Sequence, residues 1–296
     1  MRRGHGSGGK DEDRHGGARR EGAAGPRGGA GPTVYARLAR LAGGVRERLA
    51  QWWLPCACVL CGQVQADVVC TGCANDLLAP TPRCPRCALP QRDASLCAMC
   101  RGAPPAFDAT IVLGDYAPPR EALVLTLKFG GVLPMANWLA RELASAWTAR
   151  QSLQSAATGD AAEQPCLVVP IPLAPDRLAE RGFNQSWEIA RRLAPRLGAA
   201  ASADLLVRSR STAPQTALAA DRRHLNVAGA FALARHAGPD RLAARLLGRV
   251  QGRHVALVDD VMTTGATLAE AAAVLKRHGA ARVTALVALR TPAPSR

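Results

Sequence analysis

Aromatic residues are scarce in this chain: 5 Trp, 2 Tyr and 4 Phe make up 4% of 296 residues. A core must therefore be built mostly of Ala, Leu and Val, and heavy stacking of nucleic-acid bases on aromatic rings is disfavoured. Acidic residues are also few, 23 against 38 basic ones that are almost wholly arginine, which gives a net charge of +15. Such a surface suits phosphate-rich partners, although a chain rich in Ala, Arg and Gly is also basic by composition alone. No apolar run approaches the ~20 residues of a membrane span. Arg2-Arg3 leads into no apolar stretch, which argues against a secretory signal. The expected compartment is the cytoplasm, where the 10 cysteines point to metal ligands rather than disulfides. A Walker phosphate loop is absent too, because no Gly-Lys is followed by Ser or Thr.

What is present is unevenly distributed. The length suits one large or two modest domains, and an apolar content of 48% is enough for a packed core. Residues 1–33 mix Gly, Arg, Asp and His without an apolar period, and such a composition buries too little surface to fold. The segment reads as a disordered tail or as the product of a start codon set too far upstream. In 34–54, Leu38, Leu41, Val45, Leu49 and Trp52-Trp53 recur at spacings of three and four around Gly43-Gly44. That spacing predicts an amphipathic helix.

Four CxxC pairs follow: Cys58/Cys61, Cys70/Cys73, Cys84/Cys87 and Cys97/Cys100. Each turn aims two thiolates at one point, and two such knuckles complete a tetrahedral Zn2+ site. Pairing the first with the second and the third with the fourth gives two closed four-cysteine sites, each over a short β-hairpin; an interleaved pairing also satisfies the spacing. All ligands being thiolates, the sites read as structural. Residues 55–103 hold little apolar material of their own, so the metal is expected to supply folding energy. A dithiol redox role accounts for one CxxC but not four. Cys56 sits close enough to exchange with Cys58, and Cys166 opens an apolar strand as a small buried residue.

From 107 to 291 the pattern alternates. Strands are expected at Ala109–Tyr116, Leu167–Pro172, Asp204–Val207, Val255–Val258 and Arg282–Leu289. Helices are expected at Glu121–Leu127, Met135–Ala149, Leu268–Lys276 and from Arg181-Gly182-Phe183-Asn184-Gln185 onward to Leu197. Residues 150–164 read as a linker, 208–226 as a long polar loop and 236–251 as a helical insert. Strands alternating with helices imply an α/β fold: a mostly parallel sheet with helices on both faces and a ligand site at the strands' carboxyl ends.

The stretch Arg253–Glu270 concentrates the chemistry. Val255–Val258 reads as a buried strand that Asp259 and Asp260 end abruptly. Thr263, Thr264, Gly265, Ala266 and Thr267 then form a tight bend into a helix. Hydroxyls, free N–H groups and the positive helix end make such a bend an anion site, and Gly265 lets backbone approach a phosphate. The two carboxylates suit ribose hydroxyls or a Mg2+-bound oxygen. Arg177 and Arg181, in a loop near a strand end, suit a pyrophosphate, or else a solvated basic surface.

Val255–Thr267 closely resembles the 13-residue phosphoribosyl diphosphate (PRPP) motif of type I phosphoribosyltransferases. With the four knuckles, Leu127-Lys128-Phe129, Pro170-Ile171-Pro172, Arg181–Gln185, Gln215, Arg222, Asn226 and Phe231, the chain resembles the ComF/GntX-like family over about residues 54–290. The tail and the segments near 150–164 and 236–251 depart from the family pattern. The resemblance implies a double zinc ribbon on a phosphoribosyltransferase fold, PRPP with Mg2+ as ligand, and a role in natural competence, the uptake of single-stranded DNA. A competence helicase and a recombination mediator are the implied partners, and an oligomer is compatible with it. On that basis Thr263–Thr267 would hold the 5′-phosphate and Asp259 and Asp260 the ribose hydroxyls. Asp260 would also stabilise charge at the anomeric carbon. Lys128, Arg177 and Arg181 would face pyrophosphate, and the 208–226 loop would exclude water. A non-catalytic adaptor for nucleotides or single-stranded DNA, or a PRPP sensor without turnover, would use the same anion site.

Overall fold

The computed structural model describes residues 55–159, 163–208, 229–234 and 248–293, all within one compact unit, residues 51–296. The expected tail at 1–33, the amphipathic helix at 34–54, nearly all of the 208–226 loop and most of the 236–251 insert lie outside the described residues.

In chain order, β1 (Cys56–Ala57) and β2 (Val64–Gln65) form an antiparallel hairpin, followed by α1 (Thr71–Leu77) and α2 (Ala98–Gly102). Then come β3 (Ala109–Asp115), α3 (Glu121–Lys128), α4 (Leu133–Thr158) and β4 (Leu167–Pro170). After α5 (Pro175–Arg181) and α6 (Gln185–Leu193), a 3-10 turn at Ala194–Leu197 leads to β5 (Ala200–Ala201), β6 (Leu206–Arg208) and β7 (Phe231–Leu233). The chain closes with β8 (His254–Met262), α7 (Ala266–Arg277) and β9 (Arg282–Arg290).

The central sheet has five strands in the order β3-β9-β8-β4-β5, and every pairing in it is parallel. Its strands are continuous apolar runs because both faces are buried. Alternation along β8 divides the core in two. Val255 and Leu257 pack with Val169, Val283, Val287 and the α7 residues Leu268, Ala271 and Leu275. Ala256 and Val258 pack with Leu123, Leu127, Trp138, Leu139, Leu143 and Ile189 from α3, α4 and α6.

Four differences from the sequence reading have simple causes. First, Asp259 and Asp260 do not end their strand. The β9 ladder continues beside them, pairing Asp259 with Val287 and Met262 with Arg290. Second, the expected linker at 150–164 is helical as far as Thr158. Nothing breaks α4 until Gly159, whose left-handed backbone (φ 75°) caps it. Third, Arg177 and Arg181 lie on α5 rather than in a loop. Pro175 opens that helix, and Gly182 (φ 78°) closes it. Fourth, the cysteine segment, expected to rely on metal for its folding energy, also shares the core of the sheet. Cys84, Cys87, Cys97 and Cys100 belong to the core on the α7 face, while Val68, Val69 and Leu77 join the core on the α4 face.

The first knuckle of the second site, Cys84–Cys87, also covers the sheet's edge. Thr110 of β3 donates its N–H to Pro85 O at 3.2 Å and its hydroxyl to Arg86 O at 2.6 Å. Arg150 of α4 donates to both Thr110 O (3.0 Å) and Pro85 O (3.2 Å).

Leu257, fully buried in a central strand, offers a direct test of this core. Leu257→Ala is expected to destabilise the protein by roughly 2–5 kcal/mol in urea unfolding, because its neighbours on the sheet and α7 cannot collapse into the space.

Candidate metal centres and candidate anion site

The two cysteine groups repeat one local design. The second knuckle of each site begins a helix, α1 after Cys70 and α2 after Cys97, and its first cysteine donates backbone N–H to a sulfur of the first knuckle. Cys70 N donates to Cys58 Sγ and Cys97 N to Cys84 Sγ, both at 3.4 Å. The sequential pairing is the one observed. Cys58, Cys61, Cys70 and Cys73 bring their sulfurs within 4.8 Å of one another, as do Cys84, Cys87, Cys97 and Cys100. The Cys61–Cys70 and Cys87–Cys97 sulfurs stand 3.7 and 3.6 Å apart. A tetrahedron with ~2.3 Å Zn–S bonds has edges of about 3.8 Å, so both groups fit a zinc ion. A hairpin underlies the first site only; in the second, the corresponding contact is a single bridge between Arg83 and Pro90.

Burial pushes the Cys58 and Cys84 thiols up, but backbone N–H groups outweigh it and bring each down to about 6. Their partners move the other way: sulfur–sulfur hydrogen bonding, led by Cys70, holds Cys73 at about 12, and burial holds Cys87 at about 11. A metal ion resolves that conflict by displacing the protons. The second site is buried throughout, whereas Cys61 of the first is exposed. Cys56 and Cys166 belong to neither group; the Cys166 thiol, only partly buried, contacts His254 O at 3.4 Å.

At the carboxyl ends of β3, β4, β8 and β9 lies a cavity of about 270 Å3. Lys128, Arg177, Arg181, Asp259, Asp260, Thr263 and Thr267 all line it. Thr264, Gly265 and Ala266 form the bend behind it: Ala266 N meets Thr264 Oγ1 at 3.3 Å, and Gly265 (φ 87°) caps the start of α7. A Cβ on Gly265 would stand 2.5 Å from Met262 Cε, a side-chain end that could shift, so it is the left-handed backbone that calls for glycine here. A larger groove, about 480 Å3, runs between the Cys84–Cys87 knuckle, β3 and α4. Arg83, Arg120, Glu142 and Arg150 line it, but neither aspartate of the pair nor any threonine of the bend does.

The two aspartates differ sharply. Asp260 is buried, and its Oδ2 lies 2.7 Å from Lys128 Nζ at the end of α3. Asp260 Oδ1 accepts the Val261 N–H at 2.7 Å. Asp259 Oδ1 accepts Ser186 Oγ and Asp260 N, each at 3.0 Å. Burial, then the neighbouring Asp260 charge, push the Asp259 carboxyl up to about 7, against the pull of Lys128 and Ser186. Asp259 is half-buried as a residue and lines the cavity, within reach of a ligand.

The placement of these groups follows from local sequence. Asn184 caps α6, accepting from Ser186 N (2.9 Å) and Trp187 N (3.4 Å), and donates to Ile171 O at 3.0 Å. That ties α6 to the end of β4 and presents Ser186 to Asp259. Arg181 holds Gln185 Oε1 at 2.6 Å and lies 5.4 Å above the Phe129 ring. Tyr116, Arg208 and Gln185 also line the cavity. Ser186 and Tyr116 were not expected from sequence: a single hydroxyl 73 positions from its aspartate partner carries no local signal.

Residues 184–295 match the phosphoribosyl transferase domain family. The chain is 37% identical over 224 residues to the DNA utilization protein YhgH of Salmonella typhimurium, covering 75% of this chain and 90% of that protein. It is 35% identical over 225 residues to the protein of the same name in Escherichia coli K12, with the same coverage. It is 29% identical over 212 residues to Competence protein F of Haemophilus influenzae, covering 71% and 85% of the two chains.

Three outcomes are expected. Mass spectrometry should find two zinc ions per chain and one in either Cys61→Ser or Cys84→Ser. Cys84→Ser should lower the melting temperature more, because its site is part of the sheet's core. Asp259→Asn should stabilise the protein at pH 8. A carboxyl raised in the folded state binds more protons there than when unfolded, so ionising it costs stability as pH rises from about 4 to about 7. The gain from Asn should therefore shrink towards zero near pH 4, read as melting temperature against pH.

Proposed function

Since the chain belongs to the ComF/GntX-like family of proteins with a phosphoribosyltransferase domain, we propose that its cavity binds PRPP with Mg2+ and transfers the phosphoribosyl group to a nitrogen nucleophile. The observation that carries this reading is the meeting of an acidic pair, a threonine-lined helix start and four cationic side chains, Lys128, Arg177, Arg181 and Arg208, around one cavity.

The parts divide by charge. Amides and hydroxyls of Thr263–Thr267, with the positive end of α7, suit the 5′-phosphate. Asp259 and Asp260 suit the ribose hydroxyls, and the Asp260 carboxylate favours positive charge developing at the anomeric carbon. Lys128 already neutralises Asp260 at 2.7 Å, and with Arg177 and Arg181 it suits the departing pyrophosphate. In the reaction the anomeric C–O bond to pyrophosphate breaks, a C–N bond forms, and the nucleophile's proton is lost to solvent or to a carboxylate. Mg2+, when bound, would shield the diphosphate charge. The residues present fit it: two carboxylates already engaged with Lys128 and Ser186 leave most of its coordination to substrate oxygens and water, as is usual for this ion. The two cysteine sites hold zinc as structural elements in this reading.

The relatives' names, concerning DNA utilization and competence, support a role in handling DNA, which this reading places in the cytoplasm. There a helicase, a recombination mediator or single-stranded DNA itself would be the partner.

Isothermal titration with PRPP and Mg2+ tests the site. Binding is expected to weaken on the order of tenfold or more in the Asp259→Asn, Asp260→Asn double variant. At pH 6.5 the wild-type heat should vary with the buffer's ionisation enthalpy, because a cationic ligand at Asp259 releases its proton. Heat that the double variant leaves unchanged removes the assignment. A response to a single-stranded oligonucleotide but not to PRPP would instead favour the adaptor role.

A further inference from the structure

We infer that Arg290 is a positioning residue that makes the shape of the Thr263–Thr267 bend depend on the second cysteine site. The bend's function as an anion site rests on the reading above; the mechanical link does not.

Arg290 is the last residue of β9 and is only 5% exposed. Its guanidinium faces two ways. Nε donates to Cys87 O at 3.2 Å, within the first knuckle of the second site. Nη1 donates to Met262 O at 3.1 Å, to Thr291 O at 2.8 Å and to Thr263 O. One rigid, planar group thus spans from a metal knuckle to the two peptides that begin the bend. Because a trans peptide is planar, with C=O and N–H on opposite sides, fixing the Met262 and Thr263 carbonyls turns the Thr263 and Thr264 amides away from the guanidinium. Flexible lysine offers no equivalent fork.

Apolar packing runs parallel to this polar link. Met262, Ala266 and Leu268 share a core with Phe107 and all four cysteines of the second site. The Gly265 turn is seated against Met262, with the Phe107 ring 3.7 Å from where its Cβ would stand. Charge works in the same direction. Four thiolates around Zn2+ leave a net negative site, and a buried guanidinium needs such a counter-charge. Asp115, the nearby carboxylate, is already paired with Arg83 at 2.7 Å.

The first cysteine site has different anchors. Leu77 O accepts Arg120 Nε at 2.7 Å, and Asp67 pairs with Arg141 at 2.8 Å. These contacts lead to the start of α3 and to α4, not to the bend. The two sites are therefore expected to differ in their effect on it.

Hydrogen–deuterium exchange of the full-length, zinc-loaded protein, without ligand, tests the link. Amides of residues 263–268 should exchange about tenfold faster or more in Arg290→Lys and in Cys100→Ser, and at the wild-type rate in Cys61→Ser. Residues 255–258 of β8 serve as the reference for global loosening. Equal protection of the bend in all four proteins overturns the inference, and so does loosening in Cys61→Ser as large as in Cys100→Ser. Should Arg290→Lys fail to fold, the two cysteine variants decide it alone. Titration then adds a separate readout: PRPP should bind Arg290→Lys about tenfold more weakly than wild type. Absence of PRPP binding to the wild type would remove the functional reading, and exchange at 263–268 would still decide the tether.

Discussion

A sheet buried on both faces can gather charge only at its ends. In β4, β8 and β9, apolar side chains fill the core on either side, and a charged group along them would lose its water without gaining a partner. All the pairings are parallel, so every strand finishes at the same edge. Asp259, Asp260, Arg290 and the bend after Met262 are collected there by topology. Lys128 at the end of α3 and Arg177 and Arg181 on α5 reach the same edge because their helices flank those strand ends. The chain's shortage of aromatics sharpens the constraint, since Ala, Leu and Val fill space without offering any polar handle inside.

Much of this was legible in the sequence, for reasons that vary by element. Apolar runs bounded by Gly and Pro gave the strands, and the regular CxxC spacing gave both cysteine groups and one natural pairing. The acidic pair before Thr-Thr-Gly-x-Thr marked a stretch that does line one cavity; its use as an anion site is the proposal made above. What stayed hidden was set by distant neighbours. Nothing in Val258-Asp259-Asp260 announces that β9 continues the ladder past the carboxylates. Arg177 and Arg181 read as loop residues because a helix as short as α5 shows too little periodicity. Ser186 and Arg290 each bond a partner far along the chain, and Tyr116 lines a cavity assembled from distant segments. The extension of α4 to Thr158 was obscured because a polar, Ala-rich helix and a polar linker share one composition.

The cysteine segment is better understood as part of the core than as an appended module. Its two sites are built alike, with a matching N–H to sulfur contact in each, yet they join different layers of the molecule. One leans on the helices behind the sheet; the other is continuous with the packing beneath the bend. Identical coordination chemistry thus acquires different structural weight from its surroundings.

The cover over β3 carries a further consequence. An outermost strand presents unpaired backbone groups that invite another chain to add itself. At the opposite edge β5 is only two residues long, a poor template. At β3 the protection comes from the Pro85–Arg86 backbone and the Arg150 side chain that grip Thr110. With zinc held between its knuckles, as proposed, the seating of that segment would depend on the ion. Loss of that metal would then uncover the outer side of β3 and leave its backbone open to pairing with another copy of the chain.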